Sequence, residues 1–191
     1  MRSVHRVLTC LFAGITLLAA MSLPVSAGPI DDKMQKKVDA YKKQTTAWAG
    51  DPAIVAAVKE ANANGPIPGM GNAKWKELKE TDPVVSAFVT NATGKQLTKW
   101  MEADAKGINK IVLSGEKSQR VAYTSMPAKY LGKGAPNYDT SMNDGKVWQQ
   151  DESKPDPSTN IDTVQISAPV KDGGKVIGVL LVSLTVDALK K

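Results

Sequence analysis

Two neighbouring segments late in the chain carry the clearest hydrophobic pattern. From Thr163 to Lys171, apolar residues alternate with polar ones, as in a strand that buries one face. The next run, Val176 to Val186, is apolar on both faces, which is typical of a strand inside a sheet covered on both sides. Between them, Asp172-Gly173-Gly174 suits a tight turn, because glycine adopts positive φ without steric cost. The pattern predicts a β-hairpin at the centre of a covered sheet.

Further upstream, the spacing of apolar residues predicts helices. Residues 30–49 carry apolar side chains three and four residues apart, with lysines on the other side, which indicates an amphipathic helix. Asp51-Pro52 and Asp82-Pro83 indicate two further helix starts, because aspartate caps free amides and proline suits the first helical position. We therefore expect a helical part over 30–106. The first helical stripe consists of Met34, Val38, Tyr41, Thr45 and Trp48.

The pattern changes at Gly107. Ile108 to Ser114 and Gln119 to Met126 read as paired strands joined by a short turn. Residues 127–160 are rich in Gly, Pro, Asn, Asp and Ser, and we interpret them as one long loop. The sheet part of the chain is thus expected over 108–186. Helices followed by hairpins predict the α+β class.

The first 27 residues have the pattern of a secretory signal peptide. Arg2 and Arg6 precede a short apolar core, and Val25-Ser26-Ala27 is a small-residue cleavage site. We predict cleavage after Ala27, which leaves residues 28–191 as a single domain. An uncleaved membrane anchor is the weaker alternative, because the apolar core is short. Export of a chain without disulfides favours a periplasmic location.

Cleavage removes the only cysteine, Cys10, and the only histidine, His5. The mature chain then has no disulfide, no thiolate nucleophile, no Ser-His-Asp triad and no Cys/His metal site. Of the 25 basic residues Arg2 and Arg6 are lost, while all 19 acidic residues remain, so the mature net charge is +4. The lysines are scattered along the chain, which does not favour nucleic-acid binding. We predict a protein that is not an enzyme and that needs no cofactor and no metal.

The long segment 127–160 and the strand ends beside it form the predicted binding region. Loops of this length are usually functional or disordered, and the aromatic residues argue against disorder. Pockets for small ligands are mostly apolar with a few placed polar groups. The alternative is that the aromatic side chains only pack the loop down. The candidate ligand-binding residues are Arg120, Tyr123, Ser125, Tyr130, Tyr138, Trp148, Asp156 and Gln165.

Four pieces of the chain resemble one protein family. They are I-V-L-S-G-E-K-S-Q-R-V-A-Y-T-S, G-K-V-W-Q-Q-D, P-D-P-S-T and V-Q-I-S-A-P-V-K-D-G-G-K-V-I-G-V-L-L-V-S-L. In this order they resemble the extracytoplasmic Cache sensor domains, the PAS-like modules of bacterial histidine kinases and chemoreceptors. The resemblance covers residues 108–186, and the long amino-terminal helix of the family would match 30–49. It implies an antiparallel sheet of about five strands that holds a small molecule under a loop.

The resemblance also implies a function. The chain would be a sensor domain that captures a small polar metabolite, an organic or amino acid, and passes the signal to a membrane-bound kinase or chemoreceptor. Asp156 would then orient an amino or hydroxyl group, and Arg120 would favour a carboxylate. Because Asp156 and Trp148 lie in the predicted loop, we expect their replacement to weaken binding without unfolding the protein. The alternative is a non-catalytic interaction or regulatory subunit that uses the fold without a ligand.

One difference from the family changes what we expect. Cache sensors usually lie between two membrane helices, with a signalling module inside the cell. Here the signal sequence looks cleavable, so in this respect the sequence departs from the family and we expect a free-standing sensor domain.

Overall fold

The computed structural model describes residues 28–191, and the predicted signal peptide lies outside the described residues. No helix within this range combines the length and the apolar character needed to cross a membrane. The helices are α1 (Asp32–Ala49), α2 (Pro52–Asn64), α3 (Asn72–Trp75), α4 (Pro83–Thr90), α5 (Ala92–Ala103), α6 (Pro136–Asn143) and α7 (Val186–Lys190). The strands are β1 (Gly28–Pro29), β2 (Ile108–Gly115), β3 (Arg120–Tyr123), β4 (Trp148–Gln149), β5 (Glu152–Pro155), β6 (Asp162–Asp172) and β7 (Lys175–Thr185).

All strands belong to one antiparallel sheet with the order β1-β5-β6-β7-β2-β3, and β4 also pairs with β6. Five strands are four residues or longer, whereas β1 and β4 have two residues each. The predicted α+β class with an antiparallel sheet of about five strands is confirmed. The two additional strands are short: β1 pairs with β5, and β4 pairs with β6.

The hairpin of β6 and β7 forms the centre of the sheet, as the alternation predicts. Asp172 pairs with Lys175, so the loop consists of Gly173 and Gly174 alone. Their φ angles are 55° and 88°. A two-residue loop with positive φ at both positions matches the right-handed twist of the two strands that it joins. Glycine adopts positive φ without strain.

Local capping explains where the first helices begin. The Asp31 carboxylate accepts a hydrogen bond from the Met34 amide at 2.8 Å, which fixes the start of α1. Asp51 accepts from the Ala53 amide at 2.8 Å at the start of α2, as the Asp-Pro signal predicts. Asp82 precedes α4 but does not cap it, because its carboxylate accepts from the Lys79 amide instead.

One face of the sheet packs against α1, α2 and α5. The apolar residues of β6 and β7 on this face meet the inward stripes of the three helices and exclude water from them. Fully buried residues of this helical face include Val38, Ile54, Val58, Leu97, Ile111, Leu113, Val164, Ile166, Leu180 and Leu184.

Leu180→Ala is expected to lower the free energy of unfolding by about 2–5 kcal/mol, because the residue is fully buried and its removal leaves a cavity. The neighbouring Leu181 points to the other face and is only half-buried, so Leu181→Ala should cost clearly less. The sequence pattern alone predicts both Val179 and Leu181 as core, and only Val179 is fully buried. Urea denaturation of the two variants measures the difference. Equal losses would contradict the assignment of the faces.

The other face carries a cluster of aromatic residues beside the edge strand β3. Trp75 lies edge-on to Tyr123 and to Phe88, and Tyr130 packs beside both Trp75 and Phe88. The Trp75 indole donates to the Pro127 carbonyl at 2.8 Å, so the buried ring has its hydrogen-bond partner. This aromatic cluster covers the part of the face next to β3.

The segment 127–160 is not the continuous loop that its composition predicts. It contains α6, β4 and β5. Pro136 stands in the first turn of α6, but the helix is rich in Asn, Asp, Thr and Ser, which are poor helix formers. Tertiary contacts stabilise it instead, since Tyr138 and Ser141 are buried and the Ser141 hydroxyl lies 2.8 Å from that of Ser167 in β6.

The ends of the described chain meet at α1. Lys33 of α1 donates to the Lys190 carbonyl at 2.7 Å, and Lys37 donates to the Ala188 carbonyl at 2.9 Å. These lysines satisfy carbonyls at the end of α7, where a helix favours positive charge.

Candidate functional site

A pocket opens on the sheet face opposite α1, beside the aromatic cluster. Its floor consists of alternate residues of β2 and β7 with one residue each from β3 and β6. Its cover consists of the chain that follows β3, the start of α6 and the turn after β5. The volume is about 240 Å³, which suits a small metabolite. The lining residues of this sheet pocket are Lys110, Val112, Ser114, Arg120, Pro127, Ala128, Lys129, Ala135, Asn137, Tyr138, Asp156, Pro157, Gln165, Val179 and Leu181.

A buried ion pair lies in the floor of the sheet pocket. The Lys110 ammonium of β2 is 2.7 Å from the Asp156 carboxylate, and the two side chains are 5% and 0% exposed. Lys110 also donates to the Ser158 hydroxyl at 2.6 Å. Because charges in a dry environment interact strongly, this pair fixes the turn after β5 to β2.

The two oxygens of the Asp156 carboxylate differ in their hydrogen bonds. Oδ1 accepts from Lys110 at 2.7 Å and from the Ser158 amide and hydroxyl at 2.9 and 2.7 Å. Among residues 28–191, Oδ2 has only distant donors, Gln165 at 3.4 Å and Ser183 at 3.5 Å. Oδ2 therefore retains capacity to accept a hydrogen bond from a bound molecule.

Opposing effects set the titration of the ion pair. Burial acts to raise the pKa of Asp156, but the hydrogen bond and charge of Lys110, with the Ser158 hydrogen bonds, outweigh it and lower the pKa. Burial lowers the pKa of Lys110, and the hydrogen bond and charge of Asp156 oppose that effect. At neutral pH Asp156 is a carboxylate.

Arg120 supplies a second positive charge to the pocket. Its Nη1 donates to the Ser114 hydroxyl at 2.7 Å, and its Nε donates to the Lys129 carbonyl at 3.0 Å. No carboxylate of residues 28–191 forms a salt bridge with it. Burial lowers the pKa of Arg120 to about 10, so the guanidinium stays charged at neutral pH. The guanidinium is thus held in place by neutral groups and leaves its charge available to an anion.

Side-chain amides complete the polar part of the pocket. Asn137 at the start of α6 donates to the Gln165 side-chain oxygen at 2.8 Å, and Gln165 donates towards Asp156. Tyr138 lines the pocket with its ring, while its hydroxyl donates to the Gly115 carbonyl at 2.8 Å. Burial raises the pKa of Tyr138 to about 12, so the hydroxyl remains neutral.

The structure brings together half of the predicted ligand-binding residues. Arg120, Tyr138, Asp156 and Gln165 all line the sheet pocket. Asp156 differs from the predicted loop residue in one respect, because it is 1% exposed and paired with Lys110, so it also holds the fold together.

The other four predicted residues lie outside the sheet pocket. Tyr123 and Tyr130 belong to the aromatic cluster, where the Tyr123 hydroxyl donates to the Val85 carbonyl and the Tyr130 hydroxyl accepts from the Ile67 amide. Trp148 is half-buried in β4 opposite Ser167 of β6. Ser125 follows β3 and faces a separate cavity beside α4.

The pocket residues missing from the sequence prediction include Lys110, Ser114 and Asn137. A signal for the first two exists, because Lys110, Val112 and Ser114 alternate in β2 with the core residues Ile111 and Leu113. A lysine on a strand face that should be buried indicates a charged partner. Asn137 has no such signal, since its position depends on α6.

No group of three or more acidic, cysteine or histidine side chains in the described part of the chain could hold a metal ion. The polar groups that line the sheet pocket are instead three cations, of which Lys129 lies exposed at the rim, one carboxylate, two amides and the Ser114 hydroxyl. That set can bind an anionic organic group and, at Oδ2 of Asp156, a hydrogen-bond donor.

No family model and no curated protein matches the sequence. Similar solved structures include the sensory domain of the Campylobacter jejuni chemoreceptor Tlp3 with isoleucine bound, at 13% identity and a TM-score of 0.43, over 84% of this chain and 66% of that one. The sensor domain of the V. cholerae histidine kinase DctB has 14% identity and a TM-score of 0.42, over 83% and 59% of the two chains. The E. coli DcuS sensor domain has 12% identity and a TM-score of 0.39, over 73% and 96%.

The chain spans less than two thirds of the Tlp3 and DctB domains. These three solved structures are the sensory domain of a chemoreceptor, the sensor domain of a histidine kinase and a further sensor domain.

Proposed function

We propose that this protein is a non-catalytic sensor domain that binds a small carboxylate, an organic or amino acid, in the sheet pocket. The observation that carries the proposal is the guanidinium of Arg120, which lines the pocket without a carboxylate partner among residues 28–191. A carboxylate matches the planar fork of a guanidinium and would compensate its charge away from bulk water.

The remaining walls restrict the ligand to a small molecule with a short apolar body. Val112, Val179 and Leu181 form the apolar part of the pocket floor. The cover is also apolar where Ala128 and Ala135 line it. The volume of about 240 Å³ leaves little room beyond the carboxylate and a short side chain.

The Oδ2 atom of Asp156, which can accept a further hydrogen bond, distinguishes α-amino acids from organic acids without an amino group. An α-amino acid would place its carboxylate at Arg120 and donate from its ammonium group to Oδ2. An organic acid without an amino group would use Arg120 alone, or donate from a hydroxyl group. The α-amino acid satisfies more of the polar groups in the pocket.

The output of the sensor belongs to the same proposal. After export and cleavage, the domain would act in the periplasm and contact a membrane-bound kinase or chemoreceptor that carries the signal inward. The segments that cover the pocket would carry the effect of ligand binding to the partner. A ligand that contacts α6 would displace the β2–β3 turn as well, because the Tyr138 hydroxyl of α6 donates to the Gly115 and Glu116 carbonyls of that turn.

A thermal-shift screen with amino acids and small organic acids tests the proposal. At 100 times the dissociation constant, a ligand stabilises the folded state by about 2.7 kcal/mol, and we expect a rise in melting temperature of about 5 °C or more. The amide of each active acid is the matched control, because it keeps the shape but loses the charge that Arg120 would bind. If no acid shifts the melting temperature, the alternative of an interaction subunit without a ligand replaces this proposal.

A further inference from the structure

A short part of the pocket cover, residues 129–132, runs along the outer edge of β3. The Gly132 amide donates to the Ser118 carbonyl at 2.9 Å, and Gln119 and Leu131 face each other as an antiparallel pair. Because β3 is the last strand in the sheet order of the described chain, this part of the cover takes the place of a further strand. We call residues 129–132 the edge segment.

The outer side of the edge segment is held by the side chain of Asn72, at the start of α3. Its Oδ1 accepts from the Leu131 amide at 2.8 Å, and its Nδ2 donates to the Leu131 carbonyl at 3.2 Å. A side-chain amide carries a donor and an acceptor side by side, so it supplies both partners that a neighbouring strand would offer. Loss of the Asn72 amide would therefore release both backbone groups of Leu131 at once.

The edge segment in turn fixes the guanidinium of Arg120. The Lys129 carbonyl accepts from Nε at 3.0 Å. Gly132 lies so close to the guanidinium that a Cβ atom added there would be 3.0 Å from Nη1. Together with the Ser114 hydroxyl, which accepts from Nη1 at 2.7 Å, the edge segment determines the direction in which the guanidinium points.

We propose that Asn72 is a positioning residue for ligand binding in the sheet pocket, although it does not line that pocket. Asn72 holds the edge segment against β3, and the edge segment holds the Arg120 guanidinium in the orientation that a bound carboxylate requires. A guanidinium that is fixed before binding loses less conformational entropy when the ligand arrives. This inference rests on the proposed function, because it assigns to Asn72 an effect on carboxylate affinity.

The first test needs no ligand. Arg120 is the only arginine among residues 28–191, so its Nε–Hε group gives the single arginine signal of this range in a ¹⁵N NMR spectrum of the purified protein. In the Asn72→Ala variant we expect the Hε atom to exchange with water about tenfold faster or more, because two hydrogen bonds of the edge segment are lost. An unchanged exchange rate would refute the proposal.

Two control variants separate positioning from a general loss of stability. Lys74→Ala changes an exposed side chain of the same helix and should leave the Arg120 signal and its exchange unchanged. Asp51→Ala removes the hydrogen bond that caps α2, so it should lower the melting temperature without accelerating exchange at Arg120. If Asp51→Ala accelerated that exchange as much as Asn72→Ala, Asn72 would contribute only to stability and the proposal would be wrong.

The second test is a titration with acetate, which represents the carboxylate group of the proposed ligands. Acetate should shift the Arg120 signal in a saturable way, whereas acetamide, which has the same shape without the charge, should not. Asn72→Ala should weaken acetate binding about tenfold, because the guanidinium must then be ordered on binding. Unaltered acetate affinity in this variant would contradict the role of Asn72. If acetate does not bind to the unchanged protein, the proposed function loses its support, and the exchange rates without ligand still decide whether Asn72 positions Arg120.

Discussion

Asp156→Asn is expected to lower the free energy of unfolding by about 3–5 kcal/mol, because it leaves the Lys110 ammonium buried without a counter-charge. The asparagine has almost the same shape, so the loss measures charge and hydrogen bonding more than packing. Urea denaturation of the purified variant gives the value. The sequence pattern alone predicts a ligand-facing loop residue at this position, whose replacement would leave the unliganded protein folded.

A matched control exists on the surface. Lys59 and Asp172 form an ion pair of the same length, 2.7 Å, with side chains that are 56% and 44% exposed. Asp172→Asn should therefore cost less than about 1 kcal/mol. Similar losses for Asp156→Asn and Asp172→Asn would contradict the buried pair. Combining Asp156→Asn with Lys110→Met should recover part of the stability, because the unpaired charge is then removed.

The same carboxylate makes the protein sensitive to acid. The pKa of Asp156 is lower in the folded chain than in the unfolded one, so the unfolded state binds more protons in the range between the two values. The stabilisation by Asp156 is complete above the unfolded pKa of about 3.9 and is lost as the pH falls through the lower folded pKa. The Asp156→Asn variant should show a shallower fall of stability below about pH 4.

Arg120→Gln is expected to weaken binding of the carboxylate found in the screen by about 30-fold or more. Removing one partner of a desolvated charge pair costs about 2–5 kcal/mol, and about 1.4 kcal/mol corresponds to a factor of ten. The glutamine amide is still a hydrogen-bond donor, but it carries no charge to attract the bound carboxylate. Calorimetric titration measures the affinity, and circular dichroism of the unliganded variant checks that the fold is retained.

Lys129 and Ser114 provide graded controls for Arg120. Lys129 is exposed at the rim of the sheet pocket, so Lys129→Gln should change the affinity only a few-fold. Ser114→Ala keeps the guanidinium but removes one of the groups that hold it, and an intermediate loss is expected. A larger loss for Lys129→Gln than for Arg120→Gln would place the bound carboxylate at the rim instead of the floor.

The sequence predicts the parts of the fold that depend on local patterns. The alternation in β6, the double-glycine turn and the apolar stripe of α1 each follow from neighbours within a few residues. The helix α6 could not be predicted in this way. Its sequence does not favour a helix, and it forms because Tyr138 and Ser141 gain partners in β2 and β6.

In the candidate site, too, the residues that depend on local patterns could be predicted and those that depend on distant contacts could not. Arg120 and Gln165 could be chosen because they stand on polar faces of predicted strands. Tyr123 and Tyr130 could not be separated from ligand-binding tyrosines, because a buried aromatic cluster and an aromatic pocket have the same composition. The partner of Lys110 could not be found either, since it lies 46 residues away along the chain.

The contact between α1 and α7 has a consequence for the order in which the chain folds. Lys33 and Lys190 are separated by 157 positions, and α1 also packs on β6 and β7. The hydrophobic stripe of α1 therefore has no complete surface to dock on until the distant hairpin has formed. Closing such a large loop carries an entropic cost before its contacts are made, which slows the search for the native topology.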